Sequence, residues 1–497
     1  MAVAEQVPEG AHKGLRSNAV GLGGAVIMSA AIMGPAVSTF FNPQFSTPFS
    51  GAATPLVYLV TVGIMVLVAS GIMEMAREFP SAGAFYTYVS RGLGAKAGFM
   101  TGGLMFVAYA LLPPAEIGLI GAYLQGTFRD EFSTNIPWWI IGMVPAIAMV
   151  GLAYRGISAS LKTALVLFAA EVTVILVLSL IILGKGGAHG VTLHPFNPSA
   201  SPNGFSGLTT GFVFAALSFV GFEAAATLGH EVKGPRRTVP RAILLSVLGV
   251  GLLYVFCIWI EVLGLGTGTA NKLTGADLPW NDLAHTYASW MKWPVIIASV
   301  SSMFAVMVNS SNGIVRIVNT MGQEKLLPKF LAEIHPRFRT PSKAVVAQGV
   351  FAVGLALVVG LMAGGLGDPV AGSNVYGYLG FLLTLGILPV YVLTNLAAIN
   401  WFRAKGTFNV VKHALLPLAG GGLMIALLYG QIVNNPAAPF SWFPWVILGW
   451  TAFVVAVALV LGSTRPEQMK RAGELLATGE LEGETEHLVS DPGKAIV

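Results

Sequence analysis

Twelve apolar runs of bilayer-crossing length constrain this chain more than any other feature. They lie near residues 19–40, 54–75, 98–125, 137–154, 161–184, 206–229, 242–265, 294–322, 344–363, 375–401, 414–433 and 442–462. A spanning helix needs roughly 20 mainly apolar residues. Hydrocarbon offers no water to satisfy backbone groups, so continuous runs of this kind must be helical. Barrel strands would instead alternate in short segments. The expected fold class is an all-α polytopic membrane protein with 12 transmembrane helices. Composition agrees: 10% of residues are charged, where a soluble domain carries about 25%. The single cysteine, Cys257, leaves no intrachain disulfide framework and no multi-cysteine metal site. It reads as a small buried hydrophobe. The first apolar run is membrane-length and follows a polar stretch, so no cleavable signal is expected.

The basic residues set the orientation. With a cytoplasmic N-terminus and an even number of spans, the Lys and Arg residues fall on the cytoplasmic side with few exceptions. Arg129, Lys185, Lys272 and Lys292 fall outside, and Arg316 lies within span 8. One span more or fewer would scramble that partition, so the positive-inside rule supports both the count and the direction. The net charge of +5 therefore reflects the membrane and calls for no nucleic acid. Residues 1–18 read as a cytoplasmic segment and 19–462 as the twelve-helix domain. Residues 463–497 read as a polar, Glu-rich cytoplasmic tail.

Two spans are interrupted in comparable places. Span 1 contains Met33-Gly34-Pro35-Ala36, and span 6 contains Leu217-Ser218-Phe219-Val220-Gly221-Phe222-Glu223. Pro35 lacks an N–H and clashes with the preceding turn. Gly34 makes an irregular backbone cheap. Spans 1 and 6 each open a set of five. Paired Gly/Pro-interrupted spans point to a transporter's binding site. Freed amide N–H groups suit a carboxylate, and freed carbonyls suit an ammonium or a cation. The alternative is a pair of plain kinks.

Four stretches resemble the amino acid–polyamine–organocation (APC) superfamily of permeases. Phe79-Pro80-Ser81-Ala82-Gly83-Ala84-Phe85-Tyr86-Thr87-Tyr88 is similar to its loop after span 2, and Leu217 to Glu223 to its span-6 core. Glu231-Val232-Lys233-Gly234-Pro235-Arg236-Arg237-Thr238-Val239-Pro240 resembles its loop after span 6. Met321-Gly322 through Leu327-Pro328, with His335-Pro336 and Thr340-Pro341, resembles its loop after span 8. The resemblance implies a leucine-transporter-like fold: a 5+5 inverted repeat, residues 19–184 and 206–401, plus two extra helices in 414–462. It implies secondary amino acid or amine transport, and a bacterial inner membrane with both termini cytoplasmic. By position it places substrate contacts at Ile32, Met33, Gly34, Pro35 and Ala36 in span 1. In span 6 it places them at Leu217, Ser218, Val220 and Gly221. This chain departs from the pattern twice. Pro35 removes one N–H that could have held a carboxylate, and Glu171 stands where some proton-coupled relatives carry a span-5 lysine. Leu217 stands where some relatives have an aromatic gate, which leaves Phe219 or Phe222 to supply it.

Ionisable residues within a span are costly and are functional candidates by default. They are Glu116 in span 3, Glu171 in span 5, Glu223 in span 6 and Glu261 in span 7. A carboxylate that can take up and return a proton is one way to meet that cost. Glu223, beside the span-6 break, is the first choice for coupling, with Glu171 next. Glu116 either faces the central cavity, where it could hold an ammonium, or lies wet near the outer end. Glu261 reads as structural. Ser301 and Ser302 with span-1 carbonyls could instead cage sodium, but membrane serines more often bond their own backbone. No metal or organic cofactor is expected, and the proton is the expected coupling ion.

The leading reading is proton-coupled import of an amino acid by alternating access. A polyamine or amine importer, or an amino-acid exchanger, is the alternative. A passive channel or a membrane enzyme fits less well. The chain has no H-E-x-x-H, no nucleophile elbow and no phosphate-binding G-x-x-x-x-G-K-[ST] loop.

Overall fold

A computed structural model describes residues 20–80, 83–156, 161–228, 232–273, 278–323, 327–433, 437–464 and 467. The segment 1–18, nearly all of the 463–497 tail, Ser81, Ala82, Glu231 and residues 324–326 of the motifs lie outside the described residues.

The described residues form helices in the order the apolar runs require. Span 1 is α1 (Leu22–Ile32) and α2 (Pro35–Phe40), and α3 (Asn42–Ser50) continues α2 past a bend at Phe41. Then come α4 (Thr54–Glu78), α5 (Ala84–Leu93), α6 (Ala95–Ala110), α7 (Leu112–Phe132), α8 (Trp138–Tyr154) and α9 (Leu161–Gly184). Span 6 is α10 (Gly204–Leu217), a break, and a 3-10 segment Phe222–Leu228. It is followed by α11 (Pro235–Leu265), α12 (Thr267–Ala270), α13 (Pro279–Tyr287), α14 (Lys292–Gln323) and α15 (Ser342–Met362). The last three are α16 (Pro369–Ala404), α17 (Leu416–Val433) and α18 (Phe443–Thr464). Proline opens α2, α4, α7, α11 and α16 within the first two residues, where its missing N–H has no helical partner to lose. Asp368 caps α16 by accepting the Val370 N–H at 2.9 Å.

Among the described residues, ten stretches are long and apolar enough to cross a membrane, and two apolar helices, Leu22–Ile32 and Trp138–Tyr154, are shorter. Several helices outrun the expected spans. The span expected at 375–401 is α16, 36 residues long, and that at 242–265 is α11, 31 residues long. Hydropathy marks only the apolar part of a helix, whereas backbone bonding continues through its polar ends. The span expected at 98–125 divides at Leu111 into α6 and α7, just before Pro113-Pro114. The loop expected after span 2 is helical from Ala84 as α5.

α4 packs on α11, α7 on both α14 and α16, and α8 on α15. The large apolar core runs through these contacts. Outward-facing side chains on the peripheral helices are also apolar: Val144 and Ile147 on α8, Val350 and Val358 on α15, Ile425 on α17, and Phe453 and Leu459 on α18 are all exposed. That is a lipid-facing surface. Exposed Trp290, Trp293, Trp442 and Trp445 sit at or near the starts of α14 and α18, as interface aromatics do. The chain is a multi-pass membrane protein. Among the described residues one parallel bridge pairs Val20, before α1, with Val232, after span 6. The Lys233 N–H donates to the Val20 carbonyl at 2.9 Å, and both valines are buried.

Candidate functional site

The span-1 break is a full interruption. Gly34 adopts φ 58°, ψ 75°, a left-handed conformation open mainly to glycine, and Pro35 then starts α2. A Cβ on Gly34 would lie 2.8 Å from Val306 Cγ2 on α14. The span-6 break has the same device: Gly221 has φ +106°. A Cβ there would lie 2.7 Å from Ile32 Cγ2 and 3.2 Å from the Ile32 carbonyl carbon. The two breaks therefore touch, backbone against backbone. Ser29 reinforces the contact, its hydroxyl oxygen accepting the Ala225 N–H at 2.7 Å.

A hydroxyl and amide network surrounds the breaks. The Met33 carbonyl accepts from Ser38 Oγ at 2.7 Å and from the Tyr254 hydroxyl at 3.1 Å. Asn42 Nδ2 donates to Ser218 Oγ at 2.8 Å, and the Tyr58 hydroxyl lies 3.0 Å from the same oxygen. Asn42 Oδ1 accepts from the Tyr376 hydroxyl at 2.6 Å. This network joins the α2–α3 unit, α4, α11, α16 and the span-6 break. Sequence reasoning missed Asn42, Tyr58, Tyr254 and Tyr376. Their only signal was one polar side chain in an apolar run, which many structural residues share.

The four glutamates are at most 5% exposed, and among the described residues none joins an ion pair. They differ in what they touch. Glu223 accepts from the Tyr109 hydroxyl at 2.5 Å, the Gly221 N–H at 3.1 Å and the Tyr391 hydroxyl at 3.5 Å. It thus ties the span-6 break to α6 and α16. Glu171, on α9, lies beside Ser301 and Ser302 of α14 and Ala36 of α2. Glu261 accepts from Trp280 Nε1 at 3.0 Å. Glu116 is fully buried, and neither of its oxygens has a hydrogen-bond partner among the described residues. Of its two expected surroundings, the wet outer end is not what the structure shows.

The remaining expected residues are placed as follows. Leu217 is buried close to Gly380 on α16. Phe219 packs edge-on against Tyr254 with centroids 5.8 Å apart, and Phe222 tilts against Tyr391 at 5.6 Å. Met33, Pro35, Ala36, Ser218 and Val220 are buried and Ile32 is half-buried. Ser302 Oγ accepts the Val37 N–H at 3.3 Å, while Ser301 donates to the Ala298 carbonyl at 3.1 Å.

A cavity of ≈190 Å³ opens at one end of the bundle. Phe41 and Gln44, Leu119 and Tyr123 of α7, and Ser373 of α16 help to line it. Tyr123 narrows its inner side, edge-on to Phe41 at 5.0 Å and donating to Asn281 Oδ1 at 2.9 Å.

Comparison with known proteins shows which family the chain falls in. The chain is 24% identical to the low-affinity putrescine importer PlaP of Escherichia coli (strain K12) over 404 residues, 80% of this chain and 84% of that protein. It is 26% identical to the chloroplastic cationic amino acid transporter 7 of Arabidopsis thaliana over 433 residues, 83% and 69% of the two chains. It is 22% identical to the branched-chain amino acid permease BcaP of Lactococcus lactis subsp. cremoris (strain MG1363) over 423 residues, 80% and 86% of the two chains. These relatives are transporters, and so is this chain, rather than an enzyme. The family described as amino acid permease matches residues 46–464. Because that match covers most of the chain, the protein belongs to the amino acid permease family of the APC superfamily.

Proposed function

We propose that this protein is a proton-coupled secondary importer of a small ammonium-bearing solute, working by alternating access. The observation that carries the reading is the contact of the two breaks at Gly221 and Ile32, with Glu223 holding the Gly221 N–H. A proton arriving at or leaving Glu223 acts directly on the backbone at the break. The solute sits against Ile32, Met33, Gly34, Pro35 and Ala36 on one side and Leu217, Ser218, Val220 and Gly221 on the other. Phe219 and Phe222 gate it by shifting against Tyr254 and Tyr391. Amino acids and putrescine, named for the relatives, share an ammonium.

The architecture in this reading is twelve crossings, with α1 and α8 completing the ten longer stretches. Residues 19–184 and 206–401 form inverted five-helix repeats, and 414–462 add two helices. Contacts support it: α4 meets α11, α7 meets α14, α8 meets α15, and α1 meets Phe222–Leu228. Each is a pair of spans five apart, as a two-fold axis between repeats requires. Both termini face the cytoplasm of a bacterial cell in this reading. Proton is preferred to sodium because Ser301 and Ser302 already bond the chain itself.

The test is uptake of labelled solutes into proteoliposomes with and without an inward proton gradient. Accumulation above the external concentration only with the gradient is expected. Equilibration without accumulation under every gradient sinks the proposal.

A further inference from the structure

An α-amino acid brings a carboxylate and an ammonium, and a buried site must offer donors to the first and acceptors to the second. Nearly all the backbone donors at both breaks are already engaged. In span 1 the Met33 N–H goes to the Ser29 carbonyl at 3.1 Å and the Gly34 N–H to the Ala31 carbonyl at 3.3 Å. Pro35 has no N–H. Ala36 lies beside the Glu171 carboxylate, which would repel a second carboxylate there, and the Val37 N–H goes to Ser302 Oγ at 3.3 Å. In span 6 the Ser218, Phe219 and Val220 N–H groups close tight turns onto the Ala215, Ala216 and Leu217 carbonyls. The Gly221 N–H goes to Glu223, and the Phe222 N–H to the Phe219 carbonyl at 3.1 Å. Among the described residues no Lys or Arg is buried, and Arg129, the one cation that lines the cavity, is exposed and paired with Asp130 at 3.3 Å.

On α7, by contrast, among the described residues one strong acceptor group is left over. Both oxygens of Glu116 are buried without a partner. Glu116 shares one face of α7 with Leu119, Tyr123 and Gly126, three, seven and ten residues on, which line the cavity. It lies about one turn below Leu119, and helical side chains lean toward the helix N-terminus, here deeper into the bundle. Tyr376, which donates to Asn42 Oδ1 at 2.6 Å, stands one turn below cavity-lining Ser373 on α16. The face of α7 that lines the cavity therefore carries an unmatched, fully buried carboxylate one turn beyond Leu119.

We infer that the substrate is an alkyl amine without a carboxylate, whose ammonium is held by Glu116, and that Glu171 fills the place at the start of α2 that a substrate carboxylate would need. This deepens the proposed function and rests on its assignment of the two breaks as the transport site. The chain supplies its own anion at the break and leaves a second anion for the substrate's cation.

Matched pairs that differ by one carboxylate test it: 1,4-diaminobutane with ornithine, 1,5-diaminopentane with lysine, and 3-methylbutylamine with leucine. The readout is thermal stabilisation of the purified full-length protein in detergent, since a ligand that binds the native state raises its apparent stability. At least one amine is expected to stabilise, at a half-saturating concentration at least about tenfold below that of its carboxylated partner. A carboxylated member that binds as well as its amine overturns the inference, and so does silence from all the amines at millimolar concentration. Glu116→Gln is expected to weaken amine binding by on the order of tenfold or more, and unchanged binding removes Glu116 from its role. If that variant does not fold, the wild-type pairs decide alone. Binding in detergent needs no gradient, so failure of proton coupling and failure of this substrate class show up in different experiments.

Discussion

Replacing Glu223 by Gln separates coupling from architecture. The side chain accepts three hydrogen bonds, from Tyr109, Gly221 and Tyr391. Glutamine has the same shape and keeps one acceptor oxygen, which can retain the Gly221 N–H. Its NH2 then faces Tyr109, whose hydroxyl can turn to accept. What disappears is the charge-assisted part of one short bond, about 1 kcal/mol. The melting temperature should fall by no more than about 2–4 °C. The effect on transport is far larger. One pH unit is worth about 1.4 kcal/mol per proton, so one-to-one symport supports about tenfold accumulation. An amide cannot load and release the proton, so accumulation in proteoliposomes should fall to about onefold. Exchange of internal for external substrate, which moves no net proton, should persist. A Glu223→Gln protein that accumulates substrate like the wild type refutes the coupling role of Glu223. Loss of exchange as well as accumulation shows that the change broke the site rather than the coupling.

Gly221→Ala forces a side chain into a left-handed conformation and against the Ile32 backbone. It should cost about 2–4 kcal/mol, and an unchanged melting curve contradicts the tight contact of the breaks. Trp280→Phe removes the indole N–H from Glu261 and should destabilise by about 1–3 kcal/mol. That loss should shrink in a Glu261→Leu background, and equal losses in both backgrounds exclude the pairing. Lys405→Met breaks a partly exposed pair with Glu78 at 2.5 Å. Thermal unfolding should register less than about 1 kcal/mol.

The sequence made the spans legible because hydrocarbon imposes one rule on every residue of a crossing. It also located both breaks, since Gly34-Pro35 and Gly221 are punctuation whose meaning is local. Partners were less accessible. Glu171 was noticed as a charge in span 5, but its place against Ala36 depends on how α9, α2 and α14 pack. Asn42 lay just past the expected end of span 1 and reads as a helix-end residue until α3 continues the helix. Glu116 shows the limit most plainly. One carboxylate in an apolar run is the same signal whether it ends up wet, paired or orphaned. Only the arrangement of α7 beside α14 and α16 decides among these.

The bridge between Val20 and Val232 makes the start of α1 a latch. One backbone bond, from the Lys233 N–H to the Val20 carbonyl, fastens the beginning of the first half of the chain to the strap leading into α11. Any swing of α1 away from the bundle breaks that bond and uncovers two buried valines. The bond itself is worth about 1 kcal/mol net. The opposite end of span 1 is fastened far more heavily, through Asn42, Ser218 and Tyr376. Among the described residues the two ends of span 1 are therefore held unequally, by one backbone bond at Val20 and by a side-chain network where α3 begins.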